Sequence, residues 1–230
     1  MALILSLETS TTVCSVALHK QGVLLDTLED HTPNSHSALL TVLMENILKK
    51  QKLEVNELDA IAVSIGPGSY TGLRIGASVA KGLAYGAEIP VIAIPTLKVI
   101  ASALSESGNE IDDSALICPM IDARRMEVYS AIYSQSLEAI EDVAPKIVDG
   151  DSYKDILDKN KIYFCGNGSQ KCKEVILNNN AIFIDDIYPS AKMMGKLVYE
   201  KFQNKEFEDV AYFEPFYLKS AAVTVPKSVF

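Results

Sequence analysis

Four short clusters carry the residues best suited to chemistry. Gly66-Pro67-Gly68-Ser69-Tyr70 is a glycine-dense turn that runs through Gly72, Arg74 and Gly76 into a helical pattern, and Ala60 to Ile65 before it reads as a buried strand. Gly66 and Gly68 allow positive φ and close backbone approach. A strand, such a turn and a helix N-terminus together suit an anion, because the first helical N–H groups lack partners. Glu8-Thr9-Ser10-Thr11-Thr12 could form a phosphate-facing hairpin, and Asp122-Ala123-Arg124-Arg125-Met126 a second one. Gly166-Asn167-Gly168 follows a strand and either meets an adenosine or is a plain turn. The expected remnant of a nucleotide or anion site is therefore Glu8, Thr9, Ser10, Gly66, Gly68, Ser69, Tyr70, Arg74, Asp122, Arg124, Arg125, Gly166 and Gly168.

This set argues against a working kinase or ATPase. Two arginines and a methionine occupy the turn of the second hairpin, and bulky side chains there hinder the approach of backbone to phosphate. Arg74 either meets an anion or partner carboxylate, or forms a surface ion pair worth under about 1 kcal/mol. Arg124 and Arg125 could face a partner, or a nucleotide at a subunit junction. Ser69 has no assignable base for a nucleophile's role and is better read, with Thr71, as a helix cap.

A peptidase fits no better. The histidines are His19, His31 and His36, and the last two stand about 140° apart on a helix, with no His-Glu-x-x-His pattern anywhere. Cys14, Cys118, Cys165 and Cys172 are too scattered for a zinc site and read as reduced thiols of a cytoplasmic protein. No catalytic residue and no metal ligand is expected. With 21 basic against 30 acidic residues and a net charge of −9, the chain is not expected to grip nucleic acid or tRNA unaided. The opening Met1–Glu8 has no basic leader, and no apolar run approaches the length of a membrane span.

The elements that must hold these clusters fall into two similar series. Apolar runs at 2–7, 13–18 and 23–28 suggest three strands, followed by a helix capped by Asn34 or Ser35 and ending near Lys50. Then come the 60–65 strand, a helix from about Thr71 to Tyr85, a strand at 90–95 and a third helix capped by Thr96. After a polar stretch, strands near 115–121, 127–134 and 137–148 precede a helix near 151–158. A strand at 162–165, a helix to about Leu177, a strand at 181–185 and a helix from Ser190 to about Asn204 complete the series. Twice βββαβα is the order of the two-lobed α/β fold of actin-like ATPases, sugar kinases and heat-shock chaperones. The lobes are expected at 1–105 and 115–218, with a linker at 106–114 and a tail at 219–230. The last helix can pack back on the first lobe.

Two helices have more to bury than one sheet can cover. Between Leu39 and Leu48 only Thr41, Glu45 and Asn46 are polar, leaving an apolar arc of about 220° where about 100° suffices. In the next helix Gly72, Gly76, Ala80 and Ala84 form a smooth stripe, and interior glycines cost about 1 kcal/mol each against alanine. Internal packing is one reading. The other places Leu39, Leu40, Leu43, Ile47, Gly72, Gly76, Ala80 and Ala84 at an interface with a partner.

Gly66 to Gly76 resembles the signature of the TsaB (YeaZ) family. Support comes from Glu8-Thr9-Ser10 with Cys14-Ser15-Val16-Ala17-Leu18, from Ile121-Asp122-Ala123-Arg124-Arg125-Met126-Glu127-Val128-Tyr129, and from Pro215-Phe216-Tyr217-Leu218-Lys219. The matches keep the family's order across nearly the whole chain. Glu8 stands where many relatives have Asp, and Lys219 where they often have Arg. The resemblance implies a non-catalytic subunit of the bacterial machinery that transfers threonylcarbamoyl to N6 of an adenosine beside the tRNA anticodon. It further implies docking on a TsaD-like catalytic paralogue through the N-terminal helices, with a TsaE-like ATPase joining. Pairing of the isolated chain with itself through a similar face is also implied. A small kinase-like enzyme of the same fold and a glycoprotease-like peptidase are the alternatives.

Overall fold

A computed structural model describes residues 2–32 and 35–218. The capping role of Asn34, the residue Lys219 and the 219–230 tail lie outside the described residues.

The first lobe contains β1 (Leu3–Glu8), β2 (Cys14–Lys20), β3 (Val23–Asp30), α1 (His36–Gln51), β4 (Ala60–Ser64), α2 (Tyr70–Ala87), β5 (Val91–Ile94) and α3 (Thr96–Ser105). The second contains β6 (Leu116–Asp122), β7 (Glu127–Tyr133), β8 (Ala139–Ile147), α4 (Lys154–Leu157), β9 (Ile162–Cys165), β10 (Ala181–Phe183) and α5 (Gly195–Gln203). The first sheet runs β3-β2-β1-β4-β5, and the second runs β8-β7-β6-β9-β10. In each, the first three strands pair antiparallel and the last two add in parallel. The topology is thus duplicated although the two halves share little sequence.

Central strands β1 and β4 and the edge strand β5 are almost wholly buried, as near-continuous apolar runs in a covered sheet must be. One face of the first sheet packs on α1 and α2 through Leu7, Val16 and Val63 against Leu40, Ile47 and Ala80. Its other face, with Ile4, Ala62 and Ile92, is covered from the far end of the chain by Met194, Leu197 and Val198. The second sheet takes Leu97, Ile100 and Leu104 of α3 on one face and Tyr153, Leu157 and Ile176 on the other. Each sheet is therefore closed by a helix that belongs, by sequence, to the other half. Fully burying one such leucine contributes roughly 1.5–3 kcal/mol.

Several local expectations change. Thr96 is the first residue of α3 rather than its cap, which is Pro95, and the Thr96 hydroxyl accepts instead from the Gly66 N–H at 3.1 Å. Ser35 occupies the N-cap position of α1, but its hydroxyl bonds to Asp30 and to the Thr32 carbonyl. The helix expected up to Leu177 is only a 3-10 turn at Gln170–Cys172. There the Ser169 hydroxyl turns back to the Gly166 carbonyl at 2.8 Å instead of capping a helix. The terminal helix opens with a separate 3-10 turn at Ala191–Met194, capped by Ser190.

Candidate functional site

The Gly66 turn is packed from within. Gly66 has φ 108°, and a Cβ there would lie 2.8 Å from the Phe216 carbonyl oxygen. Side-chain carbons on Gly68, Gly72 and Gly76 would collide with the Ser10 carbonyl, the Thr9 carbonyl and the Thr9 hydroxyl respectively. The loop after β1 therefore packs directly against this turn and the start of α2. Ser69 N–H donates to the Ser10 carbonyl at 2.6 Å, and the Thr9 hydroxyl donates to the Gly72 carbonyl at 2.8 Å. Ser69 also caps α2, accepting from Gly72 N–H at 3.2 Å. Two of the amides that could cradle an anion are thus already bonded to the chain itself. Glu8 is wholly buried beneath this seam, and burial pushes its carboxyl above the usual range.

Arg74 is not aimed at the turn. Its guanidinium lies 4.3 Å from the centre of the Tyr70 ring, which stands 4.8 Å from that of Tyr217, and the interaction with Tyr217 favours the charged guanidinium. Tyr217 belongs to a C-terminal strap. Glu208 bridges to Val91, Lys81 donates to the carbonyls of Ala211 and Phe213, and Phe216 N–H donates to the Ile65 carbonyl at 2.7 Å. Arg74 therefore fixes the strap over the start of α2.

In the second lobe the hairpin and the Gly-x-Gly turn are stitched together. Lys171 pairs with Asp122 and donates to the carbonyls of Arg125 at 2.7 Å and Glu127 at 2.6 Å. Asp122 N–H donates to Asn167 at 3.0 Å. Burial works against the Asp122 carboxylate, but Lys171 and the Arg124 N–H hold it below the usual range. Gly166, at φ 88°, abuts the Met120 carbonyl, and a Cβ on Gly168 would sit 2.8 Å from Ile121. These glycines serve close packing on β6. Arg124 and Arg125 form the exposed tip at φ 72° and 51°, a conformation that costs non-glycine residues roughly 1–2 kcal/mol each. The sequence marks Thr96 only as a helix cap and Lys171 not at all, so neither announces its hold on a turn.

The helix pair divides the expected interface residues. Leu40, Ile47, Gly72, Gly76, Ala80 and Ala84 are buried inside the first lobe, so they face the chain's own sheet and cannot meet a partner as placed. Leu39 and Leu43 are half-buried. The open apolar surface lies beside them, in a groove of about 510 Å³ between α1, the 55–57 turn and α2, lined by Met44, Leu48, Leu53, Val55, Val79 and Leu83. Gly82 lies on this groove, and a Cβ there would have nothing within 4 Å. Val79 and Leu83 carry a helical spacing of four beside the small-residue stripe, a signal that was legible but overshadowed by the glycines.

Two lobes of repeated topology, with paired loops at their strand ends, define the actin-like class of fold. A solved polyphosphate/ATP-glucomannokinase from an Arthrobacter strain shares that fold, with TM-score 0.50 and 11% identity over 88% of this chain and 100% of that one. YeaZ from Pseudomonas aeruginosa is far more similar, with TM-score 0.83 and 26% identity over 95% of this chain and 100% of that one. The Bacillus subtilis tRNA threonylcarbamoyladenosine biosynthesis protein TsaB is 30% identical over 75% of this chain and 74% of its own. The family described as TsaD, tRNA N6-adenosine threonylcarbamoyltransferase, matches residues 30–227. The chain belongs to the TsaB (YeaZ) family, within this wider group.

Proposed function

We propose that this chain is a subunit for tRNA threonylcarbamoyladenosine synthesis that assists a TsaD-like partner and performs no chemistry itself. The observation carrying this reading is a contrast between its two surfaces. The loops that would bind a nucleotide are filled by the chain's own backbone, while an apolar groove beside α1 and α2 stays open. Exposed apolar surface of this kind is where partners dock. Leu53, Val55, Val79 and Leu83, half-buried in the chain alone, would supply the centre and Glu45, Lys49 and Glu54 a polar rim. Docking there would favour the competent arrangement of the partner, a population shift rather than a catalytic step.

The same groove serves self-association when the partner is absent, and a TsaE-like ATPase joins at the resulting junction. A nucleotide at that junction, not one held by the isolated chain, is what Arg124 and Arg125 face in this reading. A net charge of −9 leaves the grip on tRNA to the partners. No helix among the described residues is long and apolar enough to cross a membrane, which fits work in the cytoplasm. The test is reconstitution with tRNA, ATP and a threonylcarbamoyl donor. Modified adenosine should form only when the partners are present, and formation by this chain alone would overturn the reading.

A further inference from the structure

Tyr85 and Tyr212 are 82% and 84% exposed, and the fold brings them to the same end of α2. Lys81, one helical turn before Tyr85, donates to the Ala211 carbonyl at 3.2 Å, which lays the strap alongside the helix. Val210 and Tyr85 accordingly line a common cavity of about 520 Å³, together with Ala84, Gly86, Glu88 and Ile89. Gly86 presents bare backbone there, since a Cβ on it would meet nothing within 4 Å. Open aromatic and apolar surface gathered in one place marks a contact for another molecule.

The charge around this cavity is negative. The last carbonyls of an α-helix lack intrahelical partners and carry the negative end of its dipole. In α2 no basic residue stands in the last turn to answer it. Glu88 follows as the exposed C-cap at φ 56°, and Glu208 and Asp209 precede Val210 in the strap. The ammonium of Lys81 is held by the carbonyls of Ala211 and Phe213, at 3.2 and 3.0 Å.

We propose that the cavity takes an arginine side chain of the protein partner seated in the neighbouring groove, which rests on the groove being the docking surface. Arginine answers each feature. Its planar guanidinium stacks on aromatic rings and donates in several directions at once. The helix carbonyls and the Glu88 carboxylate are acceptors, while Ala84, Ile89 and Val210 match its apolar stem. A carboxylate or phosphate would be repelled, and an aliphatic side chain would leave the charge unanswered. The two sites are contiguous on α2, since Gly82 and Leu83 line the groove and Ala84 to Gly86 the cavity. A partner in the groove therefore has only about one helical turn, about 5.4 Å, further to reach.

A double variant, Tyr85→Ser with Glu88→Lys, tests the anchor. Both positions are exposed, so far-UV dichroism should hold while binding to the TsaD-like partner weakens at least about tenfold. Leu83→Glu, measured beside it, separates the two surfaces. Weakening by Leu83→Glu alone overturns the anchor and leaves the groove standing, whereas weakening by the double variant alone removes the groove but not the anchor. An acetylated hexa-arginine peptide probes the chemistry without the partner. It should shift the amides of residues 85–89 and 209–212 in the wild type, and its affinity should fall at least about tenfold in the double variant. Equal affinity for both proteins would overturn the proposal. If the double variant does not fold, Tyr85→Ser alone carries the same comparison.

Discussion

A side-chain carbon on Gly72 would collide with the carbonyl oxygen of Thr9, so the first turn of α2 and the loop after β1 are in contact backbone to backbone. Gly72→Ala should accordingly cost about 1–3 kcal/mol, the usual penalty of overpacking. Gly82→Ala is the control within the same helix. It adds a methyl group into open space and should gain up to about 1 kcal/mol from helix propensity. Urea midpoints of the two variants should move in opposite directions, and a shared direction would show that the seam is not tight.

Association should depend on the groove rather than on the small-residue stripe. Leu83→Glu places a charge at a half-buried groove position and should weaken self-association and partner binding at least about tenfold with far-UV dichroism unchanged. Ala80→Glu buries the same charge in the core and should instead unfold the lobe. Sedimentation velocity separates these outcomes, and full association by a folded Leu83→Glu protein would remove the groove from consideration.

The pH profile carries a signature of His19. Its ring is buried between Ser6 Oγ at 3.2 Å from Nδ1 and the Lys192 carbonyl at 3.2 Å from Nε2. Burial lowers its pKa below 6.5, against the opposing bond to Lys192. The unfolded chain therefore takes up this proton first, and stability present above 6.5 falls as pH drops through that value toward the folded one. Chemical unfolding at pH 7 and pH 5.5 should show a smaller loss for His19→Gln than for the wild type.

Lys171→Met leaves the carbonyls of Arg125 and Glu127 without this donor and Asp122 without its ion pair, so a loss of about 1–3 kcal/mol is expected. Charge reversal of Arg124 and Arg125 acts differently. Both side chains are exposed, so melting temperature should hold while modification by the reconstituted system falls. Unchanged turnover would take the pair out of the site.

Strand order was readable because buried central strands such as Ala60–Ser64 are continuous apolar runs, and Ser69 announced the start of α2 by its type. What escaped were tertiary choices made by residues far apart in sequence. Thr96 looks like a cap until Gly66 is seen to need its hydroxyl. Gly72 and Gly76 look like a surface for a partner until Thr9 is found against them. Arg74 looks like an anion ligand, yet Tyr217, more than a hundred residues away, claims it. Small residues signal close approach; the sequence around them does not say to what.

The exchange of helices between the halves has a consequence for the order of events on the ribosome. The face of the first sheet carrying Ile4, Ala62 and Ile92 has only Val99 of α3 for cover until Met194, Leu197 and Val198 have been made. The second sheet, by contrast, finds its covering helix α3 already synthesised. The half translated first is thus the half completed last, and for most of its synthesis the nascent chain presents an open apolar sheet to whatever waits at the exit tunnel.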